Sequence, residues 1–326
     1  MNANHAMFDR PVRLGTRKSE LALWQANYVK DALEKRWGRQ LTVELVKIST
    51  RGDEILDRPL YEVGGKGLFV KGLEDKLLAG EIDLAVHSMK DLPGHLPEGL
   101  VIACTPVRED PRDVLVGPPG ANQEIKIAKL PPGTRVGTGS LRRKALIARL
   151  NSGIDVIPIR GNVQTRMEKI VQGEVDYVVL ANAGLRRLGL EERIVEVFET
   201  ERFCPAACQG ILALETRVDD VRMRELLLPL NDAATASAAA AERSFLVRLE
   251  GGCQVPMACH AALRAEDVLS VNGLVSDPSG RPCFMATKVG APSKAEQLGL
   301  ELAETLLRLG ASRVLGNANQ VQRVTA

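Results

Sequence analysis

The sequence predicts an α/β protein built from two α/β lobes followed by a smaller α+β domain. Three observations carry this. Short apolar runs of strand type alternate with stretches of helical spacing through the first two thirds of the chain. The polar stretch Arg108-Glu109-Asp110-Pro111-Arg112 separates two such series, as a crossover would. From about Asn231 the composition changes to an alanine-rich helix leading to a Gly-Gly-Cys turn. The 326 residues, 45% apolar and 26% charged, suffice for two or three packed cores. Lobe 1 is assigned to residues 10–107 and 206–229, lobe 2 to 110–203, and the small domain to 232–326.

In order along the chain, Leu21, Leu23, Trp24, Tyr28, Val29 and Leu33 have helical spacing after Ser19, a suitable N-cap. Leu41–Ile48 alternates as a strand, Leu68–Leu78 is amphipathic, and Ile82–Val86 is a short β run ending at Lys90-Asp91. Val101–Cys104 and Asp113–Val116 read as strands on either side of the crossover. In the second lobe, strands at Thr134–Gly137, Val156–Ile159 and Tyr177–Leu180 alternate with helices at Leu141–Leu150 and Val163–Val171. Ile211–Leu214 is a strand able to return to the first lobe. The last domain has a helix at Ala233–Leu249, strands near Ala258–Leu263, Leu269–Val275 and Phe284–Val289, and a closing helix at Ser293–Leu309.

Composition excludes several functions. At 3% aromatics there are too few rings for a single-stranded nucleic-acid stacking surface. The net charge of +2 leaves any anion site to local clustering. No run of about 18 apolar residues is present and the first residues lack the pattern of a secretory signal, so a cytosolic protein without membrane partners is expected. The six cysteines are then expected as thiols, and their spacing contains no close CxxC pair to hold zinc.

Four turns of one kind place arginine where a strand meets a helix. Gly137-Thr138-Gly139-Ser140-Leu141-Arg142-Arg143 combines free helix-start N–H groups, a hydroxyl and two cations. It is an anion pocket or a tight βα turn with solvated arginines, and alone it does not decide. Arg160-Gly161-Asn162-Val163 with Arg166 repeats the arrangement, against the helix dipole. Arg17 in Gly15-Thr16-Arg17-Lys18-Ser19 and Arg187 after Ala183-Gly184 complete the set. Open α/β sheets bind ligands at the carboxyl ends of their strands, so four such turns imply a ligand with several carboxylates or phosphates. Gly64-Gly65-Lys66-Gly67 is not a P-loop, because Gly67 stands where Ser or Thr is required. Asp91 among these cations is suited to stabilise a positive charge or move a proton, or else to form a strand-end salt bridge. Cys253, between two glycines and Pro256, sits in a loop able to expose a thiol, although most such cysteines are buried apolar groups.

Taken together, Thr16-Arg17-Lys18-Ser19, Gly64–Lys71, Ala85-Val86-His87-Ser88-Met89-Lys90-Asp91, Gly137–Arg143, Arg160-Gly161-Asn162-Val163 and Gly251-Gly252-Cys253-Gln254-Val255-Pro256 closely resemble the hydroxymethylbilane synthase (porphobilinogen deaminase) family, from about Arg13 to Ala261. The resemblance implies two periplasmic-binding-protein-like lobes around a cleft plus a small C-terminal α+β domain. It implies a monomeric transferase that condenses four porphobilinogen molecules head to tail into hydroxymethylbilane with loss of ammonia. It further implies a dipyrromethane cofactor attached through a thioether to Cys253. Asp91 would then be catalytic, stabilising cationic azafulvene-like intermediates. Lys90, Asp91, Ser140, Arg142, Arg143 and Arg166 would hold the cofactor, while Arg17, Ser19, Arg160, Arg166 and Arg187 would hold substrate carboxylates. The segment Thr50–Lys66 resembles the family's mobile cover. Two departures stand out: Cys208 occupies a usual glycine position, and Gly139 a frequent serine position. The rival readings are a non-catalytic two-lobed anion-binding protein and a thiol- or zinc-dependent enzyme.

Overall fold

The computed structural model describes residues 10–50, 67, 69–122, 124–249, 255–265 and 267–315. In chain order the elements begin with β1 (Val12–Arg17), α1 (Glu20–Trp37), β2 (Val43–Ile48), α2 (Lys71–Leu78), β3 (Leu84–Ser88) and β4 (Leu100–Cys104). There follow β5 (Asp113–Val116), β6 (Arg135–Gly137), α3 (Leu141–Leu150), β7 (Asp155–Ile157), α4 (Val163–Val171), β8 (Tyr177–Ala181), α5 (Asn182–Leu188) and β9 (Ile194–Val197). The chain continues through β10 (Leu212–Arg217), α6 (Val221–Leu227), α7 (Ala233–Arg248), β11 (Met257–Ala265), β12 (Val268–Ser276), β13 (Cys283–Gly290) and α8 (Ala295–Leu306). Two compact units result. One contains the described residues up to Glu109 together with Ile211–Ala236, and the other contains Asp110–Gly210 and the described residues from Ser237.

The first unit is a five-stranded sheet in the order β2-β1-β3-β10-β4. β1 runs parallel to β2 and β3, while β10 is antiparallel to β3 and β4, so the expected return strand inserts between these two. Period-two alternation on β3 explains why helices cover both faces. Leu84 and Val86 join Val12, Leu14 and Leu214 against Val29 and Leu33 of α1 and Met223 and Leu226 of α6. Ala85 faces the other way, onto Leu73 and Leu77 of α2. Gly15 lies inside β1 rather than in the turn after it; a Cβ there would stand 2.4 Å from Ile82 Cδ1, so glycine admits that side chain.

The second unit contains a sheet in the order β7-β6-β8-β5-β9. Again three strands are parallel, and β5 is antiparallel to β8 and β9. The two sheets thus share one plan, with a single strand, β10 in one and β5 in the other, antiparallel to both its neighbours. In the same unit, β11-β12-β13 form an antiparallel sheet packed on α7 and α8 through Phe245, Val271, Val275, Leu302 and Leu306. Its Ala258 and Leu274 also join Phe203, Cys204 and Val136, so the small domain shares a core with the β7-β6-β8-β5-β9 sheet.

Most predicted elements lie within two residues of the observed ones. The short helices α5 and α6 and the strand β9 were not anticipated. The closing helix ends at Leu306 and continues as a wider turn to Ala311, in which Gly310 takes φ 108°.

Candidate active site

In the first unit the local chain explains how the polar side chains are presented. Met89 is buried and its N–H donates to Ile211 O at 2.9 Å, which anchors the short 3₁₀ turn Met89–Asp91 at the end of β3. With Met89 fixed inward, Lys90 and Asp91 are exposed. Ser19 is the N-cap residue of α1 as predicted, but its side chain makes no capping bond, and Leu23 N–H donates to its carbonyl instead. Its hydroxyl is thereby spared for another partner. Arg17 ends β1 half-buried, with its guanidinium 4.2 Å above the Phe69 ring.

These groups meet. A cavity of about 100 Å³ is lined by Arg17, Ser19, Gln25, Phe69, His87, Ser88, Lys90 and Asp91 together with apolar neighbours. Gln25 Nε2 donates to Ser88 Oγ at 2.9 Å, tying α1 to the end of β3. The cavity therefore sets one carboxylate among a guanidinium, an ammonium and hydroxyls, a set suited to holding anions and stabilising a nearby cation. Gln25, Phe69 and Ser88 were missed by sequence reasoning. Their one signal was that Phe69 and Ser88 lie inside motif blocks already noted.

The second unit handles its arginines differently. Ser140 caps α3 by accepting from Arg143 N–H at 3.4 Å. Arg142 and Arg143 in the first turn are both buried. Arg142 Nη1 donates to Asp113 Oδ2 at 2.7 Å and to Cys204 O at 2.8 Å. Arg143 Nε donates to Asp113 Oδ1 at 2.9 Å, and its Nη1 to Val179 O at 2.9 Å. Gln209 Nε2 adds a third donor to Asp113 at 3.1 Å. Burial pushes the Asp113 carboxyl up, but the two guanidiniums and the hydrogen bonds from Arg142 and Gln209 outweigh it and hold the group at about 2. The anion that the helix-start arginines call for is, at least in part, the protein's own.

The remaining predicted residues lie nearby in the chain. Asn162 caps α4 by accepting from Thr165 N–H at 2.9 Å, a cap not read from the sequence. Arg160 and Arg166 are half-buried beside that helix start, and Arg166 Nε donates to Gly161 O at 2.8 Å. Arg187 is buried on α5 and donates to Gly210 O at 2.8 Å. Gly139 is required where it stands, since a Cβ there would meet Ile159 O at 2.7 Å. Cys208 has φ 62° and is buried, so the usual glycine position is occupied by an L side chain in the left-handed region. Its N–H donates to buried Glu242, which also accepts from Ala261 N–H at 2.7 Å.

Cys253 and, apart from Thr50, the Thr50–Lys66 segment lie outside the described residues. Among the described cysteines, Cys104 and Cys283 carry free thiols, and burial pushes Cys104 up to about 12. No group of three or more His, Cys, Asp or Glu side chains able to hold a metal is present among the described residues.

Comparison with known proteins agrees with this chemistry. Residues 12–225 match the family model described as porphobilinogen deaminase, dipyromethane cofactor binding domain, and residues 236–308 match porphobilinogen deaminase, C-terminal domain. Porphobilinogen deaminase of Syntrophotalea carbinolica is 50% identical over 309 residues, covering 95% of this chain and 96% of the relative. That of Syntrophobacter fumaroxidans is 49% identical over 309 residues, covering 95% and 98%. Among solved structures, the periplasmic aliphatic sulphonate binding protein SsuA from Escherichia coli is similar at 17% identity and a TM-score of 0.37, over 74% of this chain and 71% of that one. With both family models matched in order and half the residues shared with relatives over nearly the whole length, the chain belongs to the porphobilinogen deaminase family.

Proposed function

We propose that this chain condenses four porphobilinogen molecules head to tail into hydroxymethylbilane, releasing ammonia at each condensation, with Asp91 as the catalytic carboxylate. The observation that carries the residue assignment is the meeting of Asp91 with Lys90, Arg17 and Ser19 in one cavity. When the aminomethyl C–N bond of porphobilinogen breaks, ammonia leaves with the bonding pair and positive charge develops on the pyrrole. A fixed carboxylate at pyrrole N–H distance stabilises that charge more than it stabilises the neutral ground state.

The donor set fits a dipyrromethane. Such a group carries acetate and propionate side chains and pyrrole N–H donors, so it needs cations and hydroxyls for the former and an acceptor for the latter. Lys90 and Asp91 in lobe 1, and Ser140, Arg142, Arg143 and Arg166 in lobe 2, are the residues assigned to it, with Cys253 as its thioether anchor. Once bound, it supplies the primer pyrrole to which substrate is joined. Asp113 fixes the direction of the Arg142 and Arg143 guanidiniums, so their charge is presented without a search through rotamers. Arg17, Ser19, Arg160, Arg166 and Arg187 are assigned to substrate carboxylates. Ser19, relieved of capping, and Arg17, braced on Phe69, suit that role.

No described helix is long and apolar enough to cross a membrane. A cytosolic monomer with the small domain, 232–326, as the carrier of Cys253 completes the reading. Its test is ammonia release on adding porphobilinogen to the purified protein. About one ammonia per porphobilinogen consumed, with a linear tetrapyrrole product, is the expected result; no ammonia sinks the reading.

A further inference from the structure

Behind the lobe 1 cavity lies a polar cluster that the reaction as described does not use. The sheet face under α2 is an apolar layer of Ile48, Leu73, Leu77, Ile82, Ala85 and Leu100. Three polar side chains are set close to it: Glu74 of α2, His87 of β3 and Glu215 of β10, 5%, 4% and 0% exposed. Ala213 pairs with His87 and Glu215 with Ala85, so His87 and Glu215 point to the same face by strand alternation. His87 Nε2 lies 2.9 Å from Glu215 Oε2. The second oxygen of Glu215 and Oε1 of Glu74 are both buried and have no hydrogen-bond partner among the described residues.

Two carboxyl groups and one imidazole in such a layer are costly to bury unless charge is neutralised and protons are shared. Burial, and then the charge of Glu215, push the Glu74 carboxyl up to about 7 against the opposing pull of His87. Asp75 and Lys71 on its own helix act in opposite directions, Asp75 raising it and Lys71 lowering it. Glu74 therefore holds its proton in mildly acid solution, ionises around neutrality and is a carboxylate above it. His87, hydrogen-bonded to Glu215, lines the cavity with Asp91 and is joined to it through the turn anchored at Met89.

We propose that Glu215 clamps His87, fixing its tautomer and orientation, with Glu74 as a buried second carboxyl beside the pair, making His87 a positioning residue for the Lys90-Asp91 end of β3. This rests on the deaminase reading of the same cavity. The Glu215 carboxylate accepts from His87 Nε2–H, which leaves Nδ1 as the second ring nitrogen, and the protonated Glu74 keeps a second buried negative charge away from Glu215. When Glu74 ionises, two carboxylates, of which only Glu215 is bonded to His87, share one apolar layer; their repulsion falls on the packing of α2 against β10 and its neighbour β3, which leads into the turn.

The test uses the holoenzyme with kcat and KM for porphobilinogen measured between about pH 6 and 9.5. Glu74→Gln keeps the shape of the protonated acid and cannot ionise. It is expected to move the alkaline fall of kcat upward by about one pH unit or more, with KM changed less than about twofold. Glu215→Gln is expected to lower kcat about tenfold or more, and to change the ¹⁵N shift pattern of the His87 ring in histidine-labelled protein. With four histidines in the chain, that resonance can be assigned by comparison with His87→Gln. An alkaline limb unmoved in Glu74→Gln, or a His87 pattern indifferent to Glu215→Gln, overturns the clamp. The ring spectrum does not depend on turnover, so it judges the clamp even if a lack of ammonia release were to refute the deaminase reading. If Glu215→Gln does not fold, the limb position in Glu74→Gln decides alone.

Discussion

The two lobes are built on one sheet plan yet use arginine in opposite ways. In lobe 1, Arg17 is half-buried beside a cavity, lies over an aromatic ring and shares that cavity with an exposed lysine and aspartate. In lobe 2, Arg142 and Arg143 are buried on one carboxylate and two backbone carbonyls. Cations at a helix start do imply an anion, as the dipole argument requires, but the protein itself can provide it. Lobe 1 thus offers groups that can respond to a reacting molecule. Lobe 2 offers charges whose positions are set beforehand.

If that division is right, substitutions in the two lobes separate activity from stability. The largest effect belongs to Asp91→Asn, expected to lower turnover on the order of a thousandfold, or about 4 kcal/mol, while leaving the melting temperature near the parent value. Ammonia release and a thermal melt on the same sample check both halves. Next comes Asp113→Asn, which removes the anion between two buried guanidiniums and is expected to cost about 3 kcal/mol in denaturant unfolding. The acid side has a defined sign. The folded carboxyl lies below its ordinary value, so the stability it contributes is in place above about 3.8 and is lost as pH falls toward about 2.

Glu74 in lobe 1 has the reverse sign. Its folded value is raised from 4.5 to about 7, so its contribution is full below about 4.5 and is lost as pH rises to about 7. Glu74→Gln is expected to be more stable than the parent near pH 8, by about 3 kcal/mol at most, with the advantage vanishing near pH 4. Urea midpoints across that range measure it. Arg17→Ala is a smaller change: KM rises about tenfold, roughly 1.4 kcal/mol, with stability altered by less than about 0.5 kcal/mol. Smallest is Cys208→Gly, which relieves a left-handed residue and is expected to stabilise by about 1 kcal/mol.

Much of this is legible in the amino-acid sequence. Helical spacing located α1 and α3, strand runs located β5 and the inserted β10, and the Arg17, Lys90-Asp91 and Ser140 blocks marked both lobes. What stayed hidden depends on distance along the chain. Asp113 reads as the start of an ordinary strand, and only folding brings it to arginines 29 and 30 residues away. Glu74, His87 and Glu215 come from three separate elements, and Glu215 is 128 residues from His87. The short elements α5, α6 and β9 carry too few residues for periodicity to show. Cys208 shows what the sequence left open: it stands at a usual glycine position, and its φ of 62° is the left-handed backbone for which glycine is suited.

The account finally depends on a covalently primed enzyme, and intact mass under denaturing conditions tests that most directly. The protein purified in active form is expected to exceed its sequence mass by that of one dipyrromethane, and Cys253→Ser is expected to lack the increment together with activity. An active protein with unmodified mass, or an increment that survives in Cys253→Ser, would contradict it.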